Sequence, residues 1–243
     1  MKKILTLTLA AVSLLTLSSC RFVTISDELK EELKDNPVWG SAGSERITAS
    51  DNYITRNDVT GEFHALSCNL PGDVIYKPGD CAISIYAPDN ILDHVTVSNE
   101  DGTLVVKSNV ANIRNLKKIV INVSSPVMEE LVFNGAVDFK APEGITALDF
   151  HATVNGAGDM DIDGLKAGSA RLTVNGAGDA TLNAIDCDAI TVAINGAGDA
   201  SLSGKAGSAD LTISGAGDID ARSLDCADIN TKVRGVGSIK RPK

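Results

Sequence analysis

A parallel β-helix with coils of about 20 residues is the all-β fold this sequence predicts, on three observations. The first is a recurring motif, written VNGAGDM at residues 154–160, VNGAGDA at 174–180, INGAGDA at 194–200 and ISGAGDI at 213–219, with decayed copies FNGAVDF and VRGVGSI on either side. Its first glycines, Gly135, Gly156, Gly176, Gly196, Gly215 and Gly235, set a period of about 20 residues, within the solenoid range. The second is alternation: Leu172 and Val174, Val192 and Ile194, and Leu211 and Ile213 precede the motif, and Met160 and Ile162, Ala180 and Leu182, and Ala200 and Leu202 follow it, so strands flank each corner. The third is size: a unit this short cannot bury its apolar face alone, whereas stacking on its neighbours buries a continuous column.

The first 19 residues, with Lys2, Lys3 and an apolar run over 4–17, read as a secretory signal, too short for a spanning helix of roughly 20 apolar residues. The following Leu17-Ser18-Ser19-Cys20 resembles the bacterial lipobox, which makes Cys20 the acylated first residue of the mature chain and gives it a lipid anchor in the membrane. Arg21, in place of an inner-membrane retention Asp, favours the outer membrane, at the cell surface or on the periplasmic face. Residues 20–45 form a charged spacer: SDELKEELKDN at 26–36 suits a short helix stopped by Pro37, and WGSAGSE at 39–45 reads as a flexible join. The domain then runs over 46–243. Within it, 46–133 carries short strands at 74–76, 82–87, 95–97, 104–106 and 119–123, expected as irregular coils with an antiparallel cap as the alternative, and 134–238 carries the regular repeats. Lys232, Arg234, Lys240, Arg241 and Lys243 make the last repeat basic, as a polar cap against strand addition or a docking patch for an acidic partner.

Charge and cysteines narrow the chemistry. The formal charge is −10, and loss of Lys2 and Lys3 with the signal leaves −12, which argues against nucleic acid as a partner. Of the cysteines beyond Cys20, Cys187 and Cys226 fall in the same small apolar slot two coils apart, at ~10 Å and beyond the ~7 Å reach of a disulfide, so free thiols are expected. Cys68 and Cys81 flank DVIYKPGD, with a tight turn at Pro78-Gly79, and a disulfide between them is open.

The motif glycine permits a corner with positive φ or close backbone approach, and the preceding Asn can stack into an amide ladder. The closing acids Asp138, Asp159, Asp179, Asp199 and Asp218 would align one strand spacing apart, where like charges repel by about 1 kcal/mol in water and ~3 kcal/mol at a partly shielded surface. Two arrangements offset this: each carboxylate accepts a backbone N–H, or successive carboxylates share Ca²⁺, the one cofactor the sequence raises. A phosphate loop is disfavoured, because no P-loop Lys is present and a strand, not a helix, follows the motif. His64, His94 and His151 are scattered, and no nucleophile elbow or zinc motif occurs. A glycan-processing face on the repeats lacks aromatic platforms, since no Phe, Tyr or Trp follows Phe150.

The order PGDVIYKPGD (71–80), CAISIYAPDNIL (81–92), VSNEDGTLVVKS (97–108) and KKIVINVSSPVMEELVFNGAVDF (117–139), followed by the GAGD series, resembles the putative auto-transporter adhesin, head GIN domain family over about residues 47–240. That resemblance implies a right-handed, single-stranded parallel β-helix and an adhesin-like role, and supplies no catalytic residues. The expected function is therefore a non-catalytic surface-binding module that meets a host or microbial surface ligand, with homo-oligomerisation open. A structural, self-associating periplasmic protein and a polysaccharide-active β-helix enzyme are the alternatives.

Overall fold

The computed structural model describes residues 46–110 and 112–242, so the signal, Cys20 and the charged spacer lie outside the described residues. The described chain is all-β except for one short helix. Its strands are β1 (Arg46–Thr48), β2 (Tyr53–Asp58), β3 (Ala65–Asn69), β4 (Gly72–Pro78), β5 (Ala82–Pro88), β6 (Val95–Glu100), β7 (Thr103–Ser108), β8 (Asn112–Arg114), β9 (Val120–Ser125), β10 (Glu130–Gly135), β11 (Val137–Ala141), β12 (Ile145–Thr146), β13 (Asp149–Gly156), β14 (Met160–Gly176), β15 (Ala180–Ala197) and β16 (Ala200–Lys240), with helix α1 (Asp89–Leu92) after β5. No helix among the described residues is long and apolar enough to cross a membrane.

The repeats pair as their period dictates. In parallel register Gly135 faces Gly156, Gly156 faces Gly176, Gly176 faces Gly196 and Gly196 faces Gly215. Identical slots therefore superpose, and Phe133, Val154, Val174, Ile194 and Ile213 form one buried column while Phe139, Met160, Ala180 and Ala200 form another. Full burial of each large apolar side chain stabilises by roughly 1.5–3 kcal/mol, which no single repeat could gain alone.

The structure adds a second corner that the motif does not announce. Gly144, Gly164, Ala184 and Gly204 all have positive φ, and a third parallel row, through Ile145, Leu165 and Ile185, follows directly. Departures from the 20-residue period collect at this corner. Ala141 pairs with Ile162 and Ile145 with Leu165, so three intervening residues on one coil oppose two on the next; Leu182 and Ile185 oppose Leu202 and Gly204, so there two intervening residues oppose one. The Gly-Ala-Gly-Asp corner keeps its length because its backbone is in direct contact with the coil below.

The first half departs from the expected sequential coils. Strands β3 and β4 do stack on β10 and β11 in coil register, with Cys68 facing Phe133 and Asp73 facing Asp138. Beyond them, however, lie β7 and β9, which come later in the chain, and beyond those the antiparallel strands β6, β5 and β2. The physical cause is local: Asp101 and Gly102 both take positive φ, the requirement of a two-residue hairpin turn, and fold β6 back onto β7. With α1, whose Ile91 and Leu92 are buried, these strands close that end of the core column.

The turn at Pro78-Gly79 is not a hairpin, because β9 lies between β4 and β5 and the Gly79 N–H donates to Ser125 O at 3.2 Å. The Cys68–Cys81 bridge left open by the spacing is not formed; both cysteines are free. Alternation on β3 turns Cys68 inward, where its thiol donates to Leu70 O at 3.5 Å, while Cys81 sits half-buried and accepts the Phe63 N–H at 3.5 Å. Cys187 and Cys226 are free as expected, Cys187 buried and Cys226 half-buried.

Candidate functional site

The five aspartates singled out by the sequence are brought into one rail. The Asp159 N–H donates to Asp138 Oδ1 at 3.1 Å, Asp179 N–H to Asp159 Oδ1 at 3.0 Å, Asp199 N–H to Asp179 Oδ1 at 2.8 Å and Asp218 N–H to Asp199 Oδ1 at 2.7 Å. Each carboxylate thus accepts the amide of its counterpart one coil on, a charge-assisted bond that offsets the repulsion along the row. The rail ends on Ser238, whose N–H and hydroxyl both donate to Asp218 Oδ1. Those two bonds, with Lys240 adding a smaller effect, hold the Asp218 carboxyl below its usual range.

Lysines stand at both ends: Lys118 Nζ lies 3.5 Å from Asp73 Oδ2, and Lys240 Nζ lies 3.9 Å from Asp218 Oδ2. Asp73 is the member that sequence reasoning missed. It precedes its register partner Asp138 by 65 residues, and its only local signal was the Pro-Gly-Asp before an alternating strand.

A second rail runs alongside. Asn195 donates through Nδ2 to Asn175 Oδ1, Asn175 to Asn155 and Asn155 to Asn134, each at 2.9 Å, and Asn134 to Asn69 at 2.5 Å. The stacked amides expected from the repeats are present, with Asn69 an addition from the first half. Between the rails, an added Cβ on Gly156, Gly176, Gly196 or Gly215 would come within 2.1 Å of the carbonyl oxygen of the preceding glycine.

The arrangement does not gather metal donors. Among the described residues no group of three or more His, Cys, Asp or Glu side chains converges as a metal site, and one oxygen of each rail carboxylate already holds an amide. The shared-calcium expectation for Asp138, Asp159, Asp179, Asp199 and Asp218 therefore finds no donor set, and the amide-accepting arrangement is the one present. The histidines are likewise separate: His64 Nε2 is 3.9 Å from Glu129, and His94 Nδ1 is 3.0 Å from Asn109. The Cys68 thiol is pushed up to about 11 by burial, as is Cys187, where flanking Asp186 and Asp188 add to burial, so neither is a ready nucleophile.

Beside the aspartate rail a largely polar row, interrupted at Ile75, crosses the sheet, and Thr181 and Ser201 at its end line one hollow with Asp179, Asp199 and Asp218. Asn57, Ser84, Asn122, Ile75, Lys140, Asp161, Thr181 and Ser201 are successive register partners across β2, β5, β9, β4, β11, β14, β15 and β16. Two grooves of about 470 and 400 Å³ lie on it and meet at Ile75, the first lined by Asn57, Lys77, Ser84 and Asn122, the second by Lys140, Asp161, Asp163 and Asn183. No periodic motif marks this row. It is assembled from residues up to 144 positions apart, Asn57 to Ser201, so its only signal in the sequence was the outward half of each alternating pattern.

Comparison with known proteins agrees with this architecture. The chain is similar to a putative adhesin from Bacteroides fragilis, at 24% identity and a TM-score of 0.66 over 80% of this chain and 99% of that one. It is also similar to a putative adhesin from Parabacteroides distasonis, at 18% identity and a TM-score of 0.71 over 80% and 84% of the two chains. A third solved structure, a putative adhesin from Parabacteroides merdae, aligns at 18% identity and a TM-score of 0.52 over 82% and 99%. No curated protein is a significant match. At these identities the solved structures speak for the fold. Membership rests on the match of residues 62–240, nearly the whole described domain, by which the chain belongs to the family described as putative auto-transporter adhesin, head GIN domain.

Proposed function

We propose that this chain is a non-catalytic binding module of the cell envelope, anchored by lipid at Cys20 in the outer membrane and presenting its domain at the cell surface. In this reading residues 1–19 are the signal, 20–45 the lipidated spacer and 46–243 a single domain whose repeat rows close into a right-handed parallel β-helix. Membership of an adhesin-described family supports it, as does the structural duty each rail carboxylate already performs.

The observation that carries the reading is the polar row with its two confluent grooves. Amides, hydroxyls, the ammonium groups of Lys77 and Lys140 and the carboxylates of Asp161 and Asp163, set among apolar Ile75, Ile83 and Pro142, line a broad open surface on the sheet, which suits an amphipathic polar ligand contacted along its length. Such a face needs no moving part. Its ligand is a polar component of a host or microbial surface.

The test is attachment of cells producing the full chain to host-cell and microbial-surface substrata, against cells lacking it. Loss of attachment on deletion, and at least a fivefold reduction for Asn122→Arg with Lys140→Glu at unchanged Tm, is expected. Attachment equal in all three strains contradicts the reading.

A further inference from the structure

The two ends of the core column are built differently, and the difference points to a second binding surface. At one end β5, β6 and α1 cover the column with buried Ile85, Ile91 and Val95. At the other, the last coil of β16 stacks on the coil before it, with the Cβ position of Gly235 2.0 Å from Gly215 O, but among the described residues no strand pairs with its outer edge.

Its apolar slots are left open. Val233 occupies the slot in which Val174, Ile194 and Ile213 are at most 1% exposed, yet is itself 42% exposed. Ile229 and Ile239 are only partly buried, in slots where Ile190 and Ala209, and Ala200 and Ile219, are buried in the earlier coils. An unpaired strand edge beside open apolar slots is a template for one more strand.

Charge specifies what that strand carries. In a chain of net charge −10, residues 229–242 contain Lys232, Arg234, Lys240 and Arg241 and no acid. Lys232 and Arg234 are exposed and have no ion-pair partner among the described residues, while Lys240 only approaches Asp218 and Arg241 bonds Thr231. Two copies meeting edge to edge in a symmetric pair would set these basic groups against each other. An acidic strand is complementary.

We propose that the last coil is a strand-addition site that takes an extended acidic segment of a partner polypeptide, alternating apolar and acidic residues, with its backbone paired along the straight flank 229–234 that precedes the Gly235 corner and its apolar side chains laid over Ile229 and Val233. The site is distinct from the polar row and functions whether or not that row holds a ligand. Basic residues here exclude a second copy and select the partner, combining attraction with repulsion.

The test uses the purified full chain with a ten-residue peptide of alternating Val and Glu. An alternating Val and Lys peptide and a block-sequence peptide of the same Val and Glu content serve as controls. Binding by fluorescence anisotropy is expected at least tenfold tighter for the alternating acidic peptide than for either control, with new hydrogen-exchange protection confined to 229–234. Lys232→Glu with Arg234→Glu, both exposed and outside the packing, is expected to invert the preference between the Glu and Lys peptides. Equal binding of all three peptides, protection elsewhere, or a preference the double substitution leaves unchanged overturns the proposal. Protection of 229–234 that appears without peptide as protein concentration rises assigns the edge to a second copy, and overturns it too.

Discussion

At the scale of single residues, the motif glycine answers to two constraints that can be separated. Gly135 and Gly196 both have positive φ, at 110° and 153°, so an L side chain is strained at either. Only Gly196 also lies against backbone, with Gly176 O 2.0 Å from an added Cβ, whereas Gly135 has nothing within 4 Å. Gly135→Ala should therefore cost the conformational term alone, about 1–2 kcal/mol, and Gly196→Ala should cost that plus the displacement of a packed coil, about 3–5 kcal/mol in all. Urea melts of the two variants check this, and equal losses would mean that close approach is not what the glycine serves.

The carboxylates at the last coil make a second residue-level statement. Asp220 is held at about 2, well below its usual 3.8, by the Arg222 guanidinium and N–H, and Asp218 is lowered by Ser238. A depressed folded value means that the stabilisation is full above about pH 4 and is lost as pH falls through the folded value. The last coil should thus loosen between about pH 4 and 2. Hydrogen exchange of 219–240 at falling pH reads this, and Asp220→Asn is expected to flatten the acid response.

At the scale of the repeat, the two rails show what was legible and why. Asn155, Asn175 and Asn195, and the aspartates from 138 to 218, could be aligned from sequence because neighbouring coils differ by a nearly constant 20 residues. The same reasoning offered a hydrogen-bonded amide as one of two arrangements for each acid, and amide bonds are present along the row. The second corner escaped because its glycine series is broken: Gly144, Gly164 and Gly204 recur, but Ala184 takes φ 47° in the coil between and no motif accompanies the glycine. The rail predicts a graded response. Asp179→Ala removes the acceptor of the Asp199 N–H and should cost about 1 kcal/mol, while Asp179→Asn, which retains an acceptor oxygen, should cost less than half of that. Chemical melts distinguish the two, and an Asn variant as damaging as Ala would contradict the rail as a hydrogen-bonding device.

At the scale of the whole molecule, the all-β class was legible and the closed end was not. Parallel stacking of like on like repeats itself along the chain, so periodicity reveals it. The antiparallel strands β2, β5 and β6 pair through residues up to 42 positions apart with no repeat to align, and only the Asp101-Gly102 turn betrayed part of them. The polar row was hidden for the same reason, since Asn57 and Asp161 become neighbours of one groove system only through the intervening strands. The repeated glycines, amides and aspartates hold the column together, and the polar row joins repeat positions such as Thr181 and Ser201 to strands outside the repeats.

Exposure of the domain outside the cell is the claim on which the binding reading stands, and protease shaving of intact against lysed cells, followed by immunoblotting for this chain, tests it most directly. The account predicts loss of the full-length signal from intact cells, with a periplasmic marker protected in the same sample. Protection of the chain until lysis would contradict it and turn the polar row and the open last coil towards partners inside the envelope.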